Sequence, residues 1–263
     1  MNGAQPIFVT LSLEELLVVL NTLEATSIPG LVADEWTRLS PAEQDLALSV
    51  ARRALEARGL AATDPSGAVL VHRTLLKAVG VCAYPQRTLL IEHWAAGGQP
   101  ENVFVHARDE DRVVHTVAGG LHTFALHSSH SALVDHLGAL CGWSGAAVAP
   151  NLALTIPRAD FTRVCDAAAA GAETEAMEVV AAATKSGAAG SALVRALSGT
   201  PRISIVQVLS GPDGQPSDQP SFTVIGGAEG SWVVAPTDND DGSPLRAQTT
   251  SRGELGSTLL RGL

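Results

Sequence analysis

The chain has 263 residues, of which 46% are hydrophobic and 17% are charged; it is long enough for one large domain or two small ones and too apolar to be disordered. Its net charge is −10 and it shows no basic cluster, which excludes a nucleic-acid partner. No apolar run reaches the roughly 20 residues of a membrane-spanning helix, which excludes membrane insertion.

The compartment is indicated by the cysteines and by the start of the chain. Three cysteines are an odd number, and each lies in an apolar segment, which favours reduced thiols over a disulfide scaffold. The first nine residues show no secretory signal. We therefore expect a cytoplasmic protein.

The first eighty residues predict helices. Leucines at helical spacing favour a helix over Leu11–Leu23. A second helix is predicted from Ser40, which is followed by proline and then by Glu43 in the capping-box position, to about Arg58. A short apolar helix is predicted over Leu70–Val79.

An antiparallel meander is predicted next, because short segments rich in Val, Phe and Thr are separated by turn residues. The predicted strands are Arg87–Trp94, Asn102–Ala107, Arg112–Val117 and Leu121–Leu126. A helix over Ser129–Leu140 closes this part of the chain.

The second half repeats this order of elements. Leu154-Thr155-Ile156 leads into a helix, Ile203–Leu209 is the first strand of a second meander, and a helix that starts at Ser251 closes it. We therefore predict an α+β fold made of pseudo-twofold duplicated antiparallel β-meanders with flanking helical bundles. The predicted halves are residues 1–149 and 150–263, packed as one globular unit.

The histidines offer the one alternative that involves catalysis. All eight lie between His72 and His136, and the predicted pairing places His106, His115 and His122 on one sheet face. Three imidazoles could hold zinc for a metal-dependent enzyme, although no acidic residue is placed as a fourth ligand. The competing interpretation is half-exposed strand histidines without a ligand, and nucleotide-binding glycine motifs do not occur in the sequence.

Several strings carry a resemblance to a known family. They are Thr-Leu-Ser-Leu-Glu-Glu-Leu-Leu-Val-Val-Leu, Arg-Ala-Leu-Glu-Ala-Arg-Gly-Leu, Arg-Val-Val-His-Thr-Val and Ala-Leu-Val-Asp-His-Leu. Together with the order of elements, they make the chain similar to the EspG family, the cytosolic chaperones of type VII (ESX) secretion. The resemblance implies a protein without enzymatic activity or cofactor, which binds the hydrophobic tip of a helical PE–PPE-like cargo pair and delivers it to a component of the secretion machine.

The resemblance also implies contact residues, carried over by element. Family contacts come from the sheet, a β-hairpin loop and the C-terminal helices. The corresponding hairpin residues are Ala107, Arg108, Asp109, Glu110, Asp111 and Arg112. The corresponding strand and helix residues are Phe222, Val224, Trp232, Leu255, Leu259 and Leu260.

Overall fold

The computed structural model describes residues 6–32, 34–94, 99–143, 151–199, 201–210, 215–217, 219, 221–227, 230–238, 240 and 242–263. Its helices are α1 Leu13–Thr22, α2 Pro41–Ala57, α3 Arg73–Ala83, α4 His130–Cys141, α5 Arg158–Ala169, α6 Glu173–Ala183, α7 Gly187–Ser198 and α8 Arg252–Gly262. Its strands are β1 Ile7–Ser12, β2 Ala61–Thr63, β3 Val69–Val71, β4 Arg87–Trp94, β5 Glu101–Arg108, β6 Asp111–Ala118, β7 Leu121–His127, β8 Ala153–Ile156, β9 Arg202–Ser210, β10 Gln215–Pro216, β11 Phe222–Gly227, β12 Gly230–Pro236 and β13 Leu245–Thr250. The predicted α+β class is confirmed.

Serine caps explain where several helices begin. Ser12, Ser40 and Ser251 each accept a hydrogen bond from the backbone of the glutamate three residues later, and that glutamate side chain returns to the backbone of the serine. This reciprocal pairing satisfies amide groups that have no partner inside the helix. The predicted start of α2 is therefore confirmed.

Two segments differ from the sequence prediction. Ile7–Ser12 forms a strand that pairs with β7 along its whole length, so the helix predicted from Leu11 begins later, at Leu13. The helix predicted over Leu70–Val79 begins later, at Arg73, because Val69–Val71 pairs with β2 and His72 caps the helix. In both places strand pairing, with a distant strand for β1 and across a turn for β3, overrides the local apolar pattern.

The main sheet joins both halves of the chain. Its strand order is β1-β7-β6-β5-β4-β9-β11-β12-β13-β8, with β10 beside β9, and the neighbouring strands are antiparallel. The order from β1 to β4 matches the order from β8 to β9, and β4 pairs with β9 at the centre. The predicted boundary at residues 149 and 150 lies outside the described residues.

The two faces of the sheet carry different helices. Helices α1 to α3 pack over Val113 and Phe124, and α5 to α7 pack over Ile225 and Val234. The strand register places these residues on one face, which we call the bundle face. Helices α4 and α8 cover the opposite face, where they pack over both halves of the sheet, including Leu89.

Candidate functional site

The hairpin between β5 and β6 is held to the segment that precedes β4. Arg108 pairs with Asp111, so Asp109 and Glu110 form its turn. Asp109 has a left-handed backbone, with φ of 53°. Its amide donates to Gln86 Oε1 at 3.0 Å, and Gln86 Nε2 donates to Asp109 Oδ1 at 3.1 Å. These two hydrogen bonds fix the turn against the body of the protein.

The charges of this hairpin are also ordered. Lys77 Nζ lies 2.7 Å from Asp111 Oδ1, and Arg112 Nη1 donates to the carbonyls of Asp109 and Asp111 at 2.7 and 2.9 Å. The Arg108 guanidinium lies 5.9 Å from the centre of the Tyr84 ring. Of the six predicted hairpin residues, Arg108, Asp109 and Glu110 are exposed, whereas Ala107 is buried. The accessible surface is therefore the charged turn.

Four of the other predicted contact residues lie in the core. Trp232 is buried under α5 to α7, whereas Val224, Leu255 and Leu259 are buried on the opposite face. Strand alternation separates them. Val224 pairs with Val233 and therefore shares its face, whereas Trp232, the residue before Val233, points to the other face. In this structure these four residues support the surface rather than form it.

The remaining two predicted residues are half-buried beside α4 and α8. Phe222 and Leu260 both pack against the cluster on that face of the sheet. They do not share a face with Trp232. The residues carried over by resemblance thus do not form one continuous surface.

Sequence reasoning missed a row of half-buried residues on the bundle face of the two central strands. Helix α3 contacts β5, β6 and β7, and α7 contacts β8 and β11, so β4 and β9 lie between the two bundles. We call this row the central strip. Its residues are Leu90, Glu92, Trp94, Ile203, Ile205 and Gln207.

The central strip has a recognisable sequence signal. Leu89, Leu90 and Ile91 are consecutive apolar residues, which is typical of a strand with apolar side chains on both faces. The buried Leu89 and Ile91 face α4 and α8, and Leu90 faces the gap between the bundles. The apolar run alone predicts that both faces of this strand are covered. Only the strand order shows that the helices leave the bundle face partly open here.

A comparison with known protein families decides the class of this protein. The chain matches the EspG family over residues 12–259, nearly its whole length. It belongs to the EspG family. No curated protein matches the chain.

EspG proteins are chaperones associated with type VII secretion, and this chain is one of them. Within the described residues, no helix is both long enough and apolar enough to cross a bilayer. The family and the α+β fold agree with the resemblance drawn from the sequence.

Three histidines of this EspG chain, His106, His115 and His122, lie together on the bundle face, as the predicted pairing requires. Phe104 pairs with His115, and His115 pairs with Phe124. His115 Nε2 lies 3.0 Å from His122 Nδ1, and His106 Nδ1 lies 3.0 Å from the Thr88 hydroxyl. The predicted grouping is confirmed.

These histidines are core residues, which corrects the expectation of half-exposed positions. His106 and His115 are 0% exposed and His122 is 3% exposed. The His115 ring stacks on Phe124 with 4.7 Å between ring centres. Burial lowers the pKa of His106 to about 3 and also lowers the pKa of His115 and His122, so the imidazoles are neutral.

The metal alternative gains no support from this arrangement. Among the residues that the structure describes, no group of three or more His, Cys, Asp or Glu side chains is placed to hold a metal ion. Two of the imidazoles bond to each other through ring nitrogens, and the third bonds to Thr88. The geometry is that of a hydrogen-bonded, stacked core.

Proposed function

We propose that this EspG chaperone binds the hydrophobic tip of a helical PE–PPE-like pair in the cytoplasm and passes it to a component of the secretion machine. The central strip carries the proposal, because it is the half-open apolar part of the sheet between two helical bundles. An apolar concavity with polar edges is the surface that a helix tip requires.

The composition of the central strip suits such a cargo. Leu90, Ile203 and Ile205 offer aliphatic surface, and Trp94 adds a large side chain that is half-buried. Covering each aliphatic side chain contributes about 1.5–3 kcal/mol at most. Glu92 and Gln207 lie in the same row and provide polar contacts that orient the cargo.

The β5–β6 hairpin supplies the charged rim in this proposal. Arg87, the first residue of β4, pairs with Ala107 at the end of β5, so the hairpin stands at the end of the strand that carries Leu90. The hydrogen bonds between Gln86 and Asp109 hold its turn in place before any partner arrives. Rim charges contribute chiefly to the association rate and to the choice of partner.

The test is co-expression with the small helical secretion substrates encoded nearby, followed by size-exclusion chromatography. The parent chain is expected to give a soluble complex with one copy of each protein. Leu90→Asp and Ile205→Asp are expected to weaken binding at least tenfold, because each places a charge in the apolar contact. Leu121→Asp is the matched control, since Leu121 is 48% exposed on the β6–β7 turn, away from the strip.

The hairpin is tested separately by Glu110→Lys. This change is expected to slow association about tenfold or less, with a strong dependence on salt. Full binding by both strip variants, with correct folding shown by circular dichroism, would contradict the proposed surface. Failure of the parent chain to retain any helical substrate would contradict the proposed cargo.

A further inference from the structure

A single carboxylate lies within the otherwise uncharged central strip. Glu92 is half-buried on the bundle face of β4, and strand alternation places Leu90 and Trp94 on either side of it on that face. Across the strand ladders, Glu92 lies opposite Ile205 of β9 and Asn102 of β5. Its neighbours in the sheet are therefore three apolar side chains and one neutral amide.

The Glu92 carboxylate has no charged partner within the described part of the chain. No ion pair or hydrogen bond between described residues involves it. The two arginines of β4 and β9 lie on the opposite face of the sheet. Arg87 Nη1 donates to the carbonyl of Arg261 in α8 at 3.2 Å. The Arg202 side chain lies against Gly142 at the end of α4.

Covering this carboxylate with a helix tip would remove the water that solvates it. A carboxylate that loses water without gaining a partner is costly, whereas one that gains a cation and hydrogen bonds is compensated. The apolar side chains around Glu92 provide neither a charge nor a hydrogen-bond donor. Since the central strip has no cation of its own, the compensating charge has to come from the bound protein.

We propose that Glu92 selects cargo whose hydrophobic tip carries a lysine or arginine among its apolar residues. The inference rests on the proposed function and names the chemistry of the tip that the central strip accepts. The aliphatic part of a lysine or arginine side chain packs along apolar surface such as Leu90, while its charged end reaches the carboxylate. A wholly apolar tip is disfavoured because it leaves Glu92 covered and unpaired, and an acidic tip is disfavoured because it repels Glu92.

The direction of one effect tests this selection. Glu92→Leu removes the carboxylate and should weaken cargo binding at least about thirtyfold, because the covered cation of the cargo then lacks its partner. A wholly apolar tip predicts the reverse, with binding as tight as that of the parent or tighter. Glu92→Gln keeps the shape of the side chain and should also weaken binding, because it removes the charge.

Relative affinities are measured by competition, which avoids handling free cargo. The substrate retained in the co-expression test is purified in complex with fluorescently labelled parent chain, and unlabelled variants then displace that chain. Glu178→Leu and Glu178→Gln are the matched controls, because Glu178 is exposed on α6, which packs against α5 and α7. Both controls should compete like the unlabelled parent, and circular dichroism verifies that every variant is folded.

A charge exchange identifies the cationic residue of the cargo. Glu92→Lys should weaken binding more than Glu92→Leu does, because it places like charges together in a covered contact. Each lysine or arginine at the tip of the same substrate is then changed to glutamate in turn. One of these cargo variants should bind the parent chain less tightly and should regain binding to Glu92→Lys.

If Glu92→Leu or Glu92→Gln competes as well as the parent or better, the inference is overturned while the proposed cargo site stands. The inference is also overturned if none of the cargo variants restores binding to Glu92→Lys. A parent chain that retains no helical substrate in the co-expression test contradicts the proposed function, and this inference with it.

Discussion

The five strands from β1 to β4 and the five from β8 to β9 share one order across the sheet but bury different side chains on the bundle face. The first set buries aromatic rings and imidazoles: Phe104, His106, His115, His122 and Phe124. The second set buries aliphatic side chains and one indole: Leu154, Ile225, Trp232, Val234, Leu245 and Ala247. The same strand order is therefore compatible with two kinds of interior, because it depends on alternation rather than on residue identity.

The two interiors differ in the groups that can make their stability depend on pH. The first set carries five buried histidines whose pKa is lowered by burial, and the chain has no histidine after His136. They are His93, His106, His115, His122 and His127. The second set contains no group that titrates near neutral pH. The β4–β9 pair nevertheless joins the two sets by a continuous ladder from Arg87 to Trp94. The predictions below ask whether the two regions respond separately or together.

The largest expected effect comes from emptying either core. Phe124 is 0% exposed and Trp232 is 3% exposed. Phe124→Ala and Trp232→Ala should each lower the free energy of unfolding by about 3–5 kcal/mol, because each leaves a cavity. Urea unfolding followed by circular dichroism should show one transition in both variants, since the cluster under α4 and α8 contains residues of both halves.

Two resolved transitions, with only one shifted by each variant, would contradict a single cooperative unit. Substitutions at exposed positions in each half are the controls for these core substitutions. Leu121→Ala should change the free energy of unfolding by less than about 0.5 kcal/mol. The same holds for Thr162→Ala, on an exposed position of α5.

Local patterns in the sequence were enough for most elements. The strand Arg87–Trp94 and the serine-capped helix from Pro41 have the bounds that their patterns indicate. Ile7–Ser12 and Val69–Val71 were missed, because short strands are stabilised by partners far along the chain or across a turn. Such pairing gives only a weak signal in the sequence of the segment itself.

The candidate site was less accessible to sequence reasoning. The turn around Asp109 follows from its residues, but the hydrogen bonds from Gln86 depend on a segment 23 residues earlier. Trp232 and Leu259 were assigned as contact residues by carrying family contacts over by element, and the structure buries both. Exposure at Ile205 depends on where two bundles stop, which no local pattern encodes.

The next effect concerns acid. The folded pKa of His106 is about 3, below its usual value of 6.5, because burial disfavours the charged ring. As pH falls below 6.5, this histidine takes up a proton in the unfolded chain but stays neutral in the folded protein. Protonation therefore favours the unfolded state. The folded protein has its full stability above pH 6.5 and loses part of it as pH falls toward 3. At pH 4.5 the loss from His106 alone is about 2–3 kcal/mol.

The substitution His106→Gln isolates the contribution of this histidine to the pH dependence of stability. The free energy of unfolding should differ between pH 7.5 and pH 4.5 by about 2–3 kcal/mol less in the variant than in the parent. Because the comparison is made within each protein, the packing cost of the substitution cancels. His130→Gln, at an exposed position that starts α4, is the control. An unchanged difference in His106→Gln would show that this imidazole is not the source of acid sensitivity.

A smaller effect distinguishes the first helices of the two regions. Ser12 caps α1 with a reciprocal bond to Glu15, whereas α5 follows Pro157, which makes no side-chain cap. Ser12→Ala should lower the free energy of unfolding by about 1 kcal/mol. Ser12→Thr should retain most of the stabilisation by the cap, because threonine also has a hydroxyl group. Thermal unfolding of the three proteins measures the difference. Equal stability of Ser12→Ala and the parent would mean that solvent replaces the cap.

The smallest effect is expected at the ion pair that braces the β5–β6 hairpin. Lys77 and Asp111 are 49% and 35% exposed, so water screens their attraction. Lys77→Met keeps an unbranched apolar side chain without the charge and should lower the free energy of unfolding by less than about 1 kcal/mol, with the difference shrinking in high salt. Gln86→Ala is the informative comparison, because it removes two hydrogen bonds to Asp109, one from its amide and one to its carboxyl group, neither of which is an ion pair. If hydrogen exchange at the turn rises more in Gln86→Ala than in Lys77→Met, the hydrogen bonds hold the hairpin. The opposite ranking would assign that role to the ion pair.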